Sequence, residues 1–398
     1  MSPALEIWAS PEATVARIDA HTYRDQLIET GHDARFGDID RLADLGIVAT
    51  RYPVLWERSQ PAGAAEPDFS WARPRLERLR ERGVEPIVTL LHHGSGPRDT
   101  SLVAEDFPQR FAAYAGAAAR AFPWIRRWTP INEPLTTARF STLYGVWYPN
   151  LRAHDAFGAA IVNEAEATAL ALGAIRAHVP QAAYVATEDL QGFTALDAGS
   201  EAYATHKRER SFLSVELAMG RIVPGLAMHA YLTERCHVTP DRLRRLAERP
   251  APPALVAWNY YPHSERLLAA GDRNDSAVLT RPIDPRPLLR AQHARLGLPF
   301  ALGEVHADRD DAARERWLLD RHADLESLAA EGLPARALGA WAAFGMVDWR
   351  SLLLRRQAYG EDGAFRLAPA SGVPARTCVA DAIARLADAS RRAGALAR

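Results

Sequence analysis

Two glutamates end short apolar runs. Glu133 follows Trp128-Thr129-Pro130-Ile131-Asn132, and Glu304 follows Ala301-Leu302-Gly303. Retaining hydrolysis of a glycoside needs two carboxyls about 5–5.5 Å apart, one to protonate the leaving oxygen and one to attack the anomeric carbon. Their environments must split their pKa values, so that one keeps its proton near neutrality. Arg51, in Thr50-Arg51-Tyr52-Pro53, is a cation suited to holding Glu304 ionised, and Tyr261 is suited to donating to the same carboxylate. Trp341 and Trp349 offer flat apolar faces to sugar C–H groups. The rival use of such groups is a metal site built from His92, His93 and His306 with a carboxylate. Adjacent residues on a strand point to opposite faces, so His92 and His93 are not expected in one site, and no metal is expected. Taken singly, a glutamate after a strand is an ordinary first-turn residue of a helix. The joint pattern carries the argument.

These residues need a frame. Apolar or β-branched runs occur at residues 5–9, 47–54, 86–92, 127–132, 183–187, 254–260, 299–303 and 338–344. Helical periodicity follows at 38–45, 70–82, 107–122, 153–178, 311–331 and 375–393, with Gly46 and Gly83 as helix stops. Eight strand–helix units predict a closed (β/α)8 barrel occupying residues 1–398 as one domain, with an elaborated unit at about 191–253. A doubly wound dinucleotide fold is disfavoured, because Ala9-Ser10-Pro11-Glu12 carries no glycine-rich turn after the first strand. In a barrel the strand C-termini carry the chemistry. Polar or aromatic groups close every strand here: Glu12, Arg51, His92-His93, Asn132-Glu133, Glu188-Asp189, Asn259-Tyr260-Tyr261, Glu304-Val305-His306 and Asp348-Trp349.

Composition narrows the function. The 398 residues hold 48 Lys+Arg against 49 Asp+Glu, which leaves no basic footprint for nucleic acid or an anionic membrane. Lys207 is the only lysine, which removes most options for Schiff-base chemistry. The arginine excess is spread along the chain and reads as codon bias. Cys236 and Cys378 are too few for a disulfide framework or a zinc cluster. The first residues lack a secretory pattern, and no apolar run reaches the ~20 residues of a membrane span. A cytoplasmic protein is expected, which makes the sequon Asn274-Asp275-Ser276 fortuitous.

The motifs resemble glycoside hydrolase family 1, the retaining β-glycosidases, over nearly the whole chain. Arg51 to Arg58 is similar to that family's second-strand motif, Glu85 to His93 to its third strand, and Trp128 to Pro134 to its Asn-Glu-Pro motif. Ala257 to Tyr261, Ala301 to Glu304 and Trp341 to Trp349 resemble its sixth, seventh and eighth strands. The resemblance implies Glu133 as general acid/base, Glu304 as nucleophile, and Arg51 and Tyr261 as groups that tune Glu304. It implies sugar contacts from Glu12, His92, His93, Asn132, Asn259, His306, Trp341, Asp348 and Trp349, with no cofactor.

There are departures. The family's strand-one glutamine is Glu12 here, its tryptophan after the third-strand histidine is His93, and the Asn-Gly after its nucleophile is Val305-His306. Its eighth-strand glutamate is Asp348, and the preceding Asp-Asn is Gly345-Met346. The pattern is similar to that of a bacterial subgroup whose barrel is joined to a reductase-like domain, which is not expected in this chain. The expectation is a β-glycosidase with an altered glycone pocket, acting on a small carbohydrate or glycoside. Sugar transfer to another acceptor and non-catalytic sugar binding are the other readings. Sequence sets no oligomeric state.

Overall fold

The structure is a computed structural model that describes residues 4–269 and 284–396. The sequon at 274–276 and the first three residues lie outside them. Eight strands form the barrel: β1 (Glu6–Ala9), β2 (Ala49–Pro53), β3 (Glu85–His92), β4 (Arg127–Asn132), β5 (Ala183–Asp189), β6 (Leu255–Tyr260), β7 (Phe300–Val305) and β8 (Ala335–Ala340). Each pairs in parallel with its neighbours, and β1 joins both β2 and β8 to close the ring. The outer helices are α1 (Asp38–Asp44), α2 (Ala72–Glu81), α3 (Phe107–Ala121), α4 (His154–Arg176), α5 (Pro240–Glu248), α6 (Arg286–Leu296), α7 (Asp311–Ala330) and α8 (Cys378–Leu396). This is the (β/α)8 barrel expected from the alternation of elements. No helix among the described residues is long and apolar enough to cross a membrane.

The barrel floor is filled by one large side chain among small ones. Trp8 packs with Ala49, Ile87, Val185, Ala257, Ala301 and Ala337. A much larger apolar cluster lies between the strands and the helices. Burying both layers drives closure, since apolar area is worth about 25 cal/mol per Å² removed from water.

Among the strands the largest difference from the sequence reading is at β8. β8 begins and ends earlier than 338–344. Residues Trp341 to Phe344 are apolar but leave the sheet: Ala343 N–H donates to Ser10 O and Gly345 N–H to Ala342 O. Phe344 instead stacks on His32 and Phe365, so its hydrophobicity reports packing outside the strand. In the elaborated unit the stretch after Gln191 is a strand, Gly192–Ala195, parallel to Glu265–Leu268 beyond β6. Lys207 to Arg210 end a helix, Glu201–Arg210, that packs on this pair.

The hairpin of Val15–Arg17 and Tyr23–Asp25 braces one side of the mouth. Arg24 donates to Leu353 O at 2.7 Å, to Asp348 Oδ2 at 2.9 Å and to both oxygens of Glu29. Arg24 and Asp348 are each 2 % exposed. Removing one member of a buried pair strands the other charge, at about 3–5 kcal/mol. Arg24→Ala is therefore expected to lower unfolding stability by about that amount, read as a shifted denaturant midpoint; a change below 1 kcal/mol would show the pair to be energetically idle.

Candidate active site

Backbone irregularities aim the site. Between Leu302 and Glu304 the β6–β7 register slips, so that Gly303 and Glu304 oppose Asn259 alone. Such a bulge re-aims the side chain that follows it, here Glu304 toward the mouth. Only glycine fits at 303, because a Cβ there would lie 2.8 Å from Ala257 Cβ. On the far side of the ring Glu133 follows β4 with φ 44°, a left-handed conformation that costs a non-glycine residue about 1–2 kcal/mol. His93, after β3, has φ 56°. Strained residues of this kind gather where surrounding structure over-determines them.

Both oxygens of Glu304 have donors. Arg51 Nη1 donates to Oε1 at 2.5 Å, and the Tyr261 hydroxyl donates to Oε2. The second fork of Arg51, Nη2, donates to Asn132 Oδ1. That fixes the Asn132 amide with its NH2 outward, 3.0 Å from His92 Nε2 and 3.4 Å from His93 Nε2. His92 Nε2 must therefore accept, which selects the neutral ring. Asn259 Nδ2 donates to Glu133 Oε1 at 2.5 Å. Trp341 stacks on His92 with centroids 5.5 Å apart, and its Nε1 donates to Glu12 Oε2 at 3.1 Å.

Burial and charge set the protonation. Glu133 is held well above the usual carboxylate range by burial first, then by the charges of Asp189, Glu304 and Glu188. Burial likewise pushes Glu12 and Glu188 up to about 7. His93 is pushed down to about 3 by burial and the Arg51 charge, and His92 well down by burial, then by His93 and the Arg51 charge. The two histidines are thus neutral, Glu133 keeps a proton, and a guanidinium and a phenol hold Glu304. A carboxyl kept protonated by burial, facing one held by a cation and a phenol, suits an acid and a nucleophile.

A cavity of about 740 Å³ opens over this arrangement. Glu12, His92, His93, Glu133, Tyr261, Glu304, His306, Trp341 and Trp349 line it. Arg51, Asn132 and Asn259 sit behind the wall and reach it through the groups they hold. Two expectations are corrected. His92 and His93 do share the site, their rings 4.9 Å apart, because His93 has already left the strand and its left-handed turn swings it back. Asp348 does not line the cavity: Arg24 and the N–H groups of Gln357 and Tyr359 occupy its carboxylate.

Sequence reasoning missed Trp147, Tyr144, Asp189 and Glu361 as lining residues. Asp189 ends β5 and was visible as a strand-closing polar residue. Glu361 lies in an irregular stretch with no periodic signal, yet its Oε2 is 3.3 Å from His306 Nε2, whose ring Nδ1 faces Trp341 O at 2.9 Å. Among the described residues no group of three or more His, Cys, Asp or Glu is placed to hold a metal ion.

A carboxyl whose folded pKa lies above its unfolded value stabilises the fold below the unfolded value, and that stability is lost as pH rises through the folded value. The raised Glu133 follows this sign. Glu133→Gln is expected to gain on the wild type in urea midpoint as pH rises from 5 to 8, and a pH-independent difference would refute the assigned protonation.

Comparison with known proteins agrees with this geometry. Human Klotho is 30% identical over 144 residues, covering 31% of this chain and 13% of Klotho. Beta-glucosidase 6 of Oryza sativa subsp. japonica is 29% identical over 146 residues, covering 33% of this chain and 27% of the rice protein. The matched stretch spans less than a third of either relative. The beta-glucosidase from Thermotoga maritima in complex with glucoimidazole superposes with a TM-score of 0.81 over 99% of both chains, at 16% identity. Residues 7–217, more than half of the chain, match the profile of Glycosyl hydrolase family 1, and the chain belongs to that family.

Proposed function

We propose that the protein is a retaining β-glycoside hydrolase with an altered glycone pocket, acting in the cytoplasm as a single catalytic barrel of residues 1–398. Glu304 attacks the anomeric carbon while Glu133 gives its proton to the leaving oxygen, so the glycosidic bond breaks as the glycosyl–Glu304 ester forms. Glu133, now ionised, takes a proton from water, which attacks the same carbon and releases Glu304. Two inversions leave the configuration retained. Arg51 and Tyr261 orient Glu304, and Asn259 holds Glu133. Glu12, His92, His93, His306, Trp341 and Trp349 face the sugar, with Asn132 acting through His92 and His93.

The observation that carries the reading is a pair of buried carboxyls facing one cavity, Glu304 held by a guanidinium and a phenol and Glu133 pushed well up by burial. Divergence of the pocket is supported by the Asp348 carboxylate being committed to Arg24, and by a carboxyl at Glu12 and an imidazole at His93. Two unpaired cysteines, Cys236 and Cys378, favour a reducing compartment.

Aryl β-glycosides test the assignment. Glu304→Gly is expected to lower kcat on the order of 10⁴-fold or more, with activity restored by added azide or formate. Glu133→Ala is expected to lose about 10²–10⁴-fold, least for the best leaving groups. Turnover that survives Glu304→Gly without an added nucleophile would sink the proposal.

A further inference from the structure

Among the cavity carboxyls that the chemistry above does not use, Glu12 has the charge of Glu304 acting on it. Glu12 is 2 % exposed and lines the cavity beside Glu304. Its Oε1 accepts from the Thr14 N–H at 2.7 Å and its Oε2 from Trp341 Nε1–H at 3.1 Å. One N–H donor at each oxygen is a setting for a carboxyl. A glutamine would turn its own NH2 against one of those donors and leave a buried mismatch.

Charge then separates the ligands that such a group would take. Among the described residues Glu12 makes no ion pair. The nearby cation, Arg51, is spent on Glu304 and Asn132 and lies across the Trp341 ring at 5.3 Å. His92, stacked on the other partner of that indole contact, is neutral. An ionised Glu12 in this buried corner has no ion-pair partner among the described residues, and the Glu304 charge opposes it. A sugar hydroxyl would donate a hydrogen bond without compensating the charge. An ammonium would do both, and charge-assisted bonds of this kind are the strong ones.

On the reading of the barrel as a glycoside hydrolase, we propose that Glu12 selects a glycone carrying a protonated amine, an amino sugar, over the neutral sugar of the same shape. Burial pushes Glu12 up to about 7, so amine binding at pH 6 drives its proton off into solvent.

The test compares kcat/KM for 4-nitrophenyl β-glucoside with its 2-, 3- and 4-amino-deoxy counterparts, in the wild type and in Glu12→Gln. At least one amino glycoside is expected to exceed the parent by about tenfold or more, and the ratio to collapse in the variant. Calorimetry of the matching methyl glycosides with the wild type at pH 6, in two buffers of different ionisation enthalpy, should show proton release for the amino sugar alone. This second measurement does not depend on the variant folding. Preference for the parent, a ratio unchanged by Glu12→Gln, or binding without proton release would overturn the proposal. Hydrolysis of neutral glycosides with no amino preference would overturn it while leaving the hydrolytic reading intact. Proton-releasing amino-sugar binding with no turnover of any glycoside would support Glu12 and sink the hydrolytic reading.

Discussion

The site depends on one buried guanidinium. Arg51 is 2 % exposed, and its two terminal nitrogens reach Glu304 and Asn132. A buried cation is stabilised as its donors find acceptors; Nε–H finds none among the described residues, and the acceptors of the two terminal nitrogens determine much else. The fork that holds Asn132 Oδ1 turns the Asn132 amide outward. The outward amide makes His92 an acceptor and therefore neutral. A neutral His92 can lie flat against Trp341, and Trp341 then presents its N–H to Glu12. A single charge on β2 thus sets the hydrogen-bonding sense of groups on four other strand ends.

The backbone carries the complementary constraint. Strands supply direction in steps of two residues, which is too coarse to bring every side chain to one point. The bulge at Gly303 and the left-handed turns at His93 and Glu133 make up the difference. The neighbouring strand shares in this: a Cβ at Gly339 would lie 2.2 Å from Gly303 O, so β8 approaches β7 as closely as backbone allows. Position is thus obtained by local strain that a well-packed barrel can support.

Much of this was legible in the residues themselves. Seven of the strands announce themselves as apolar runs close to their observed places, and Glu133, Glu304, Arg51 and Tyr261 stand out by type and by strand position. What was not legible involves side chains whose direction depends on a departure from regular structure. Period-two reasoning separates His92 from His93, and a positive φ reunites them. Asp348 sits in a motif whose family resemblance implies a sugar contact, but Arg24, 324 positions away in sequence, claims its carboxylate. Glu361 belongs to no periodic element, and only folding brings it to His306. The early end of β8 was hidden because Trp341 to Phe344 are apolar for reasons of loop packing.

Trp8 and the six smaller side chains around it pack across the barrel floor. The cavity over the glutamates opens at the mouth. On the proposed mechanism the departing aglycone and the incoming water pass through that mouth, in that order. The fate of a glycosyl-enzyme would then turn on who queues there. An alcohol that lodges among Trp147, Tyr144 and Trp349 before water arrives would receive the sugar itself. On that mechanism the choice between cleavage and transfer would turn on occupancy at the mouth, with no change in the carboxyls beneath.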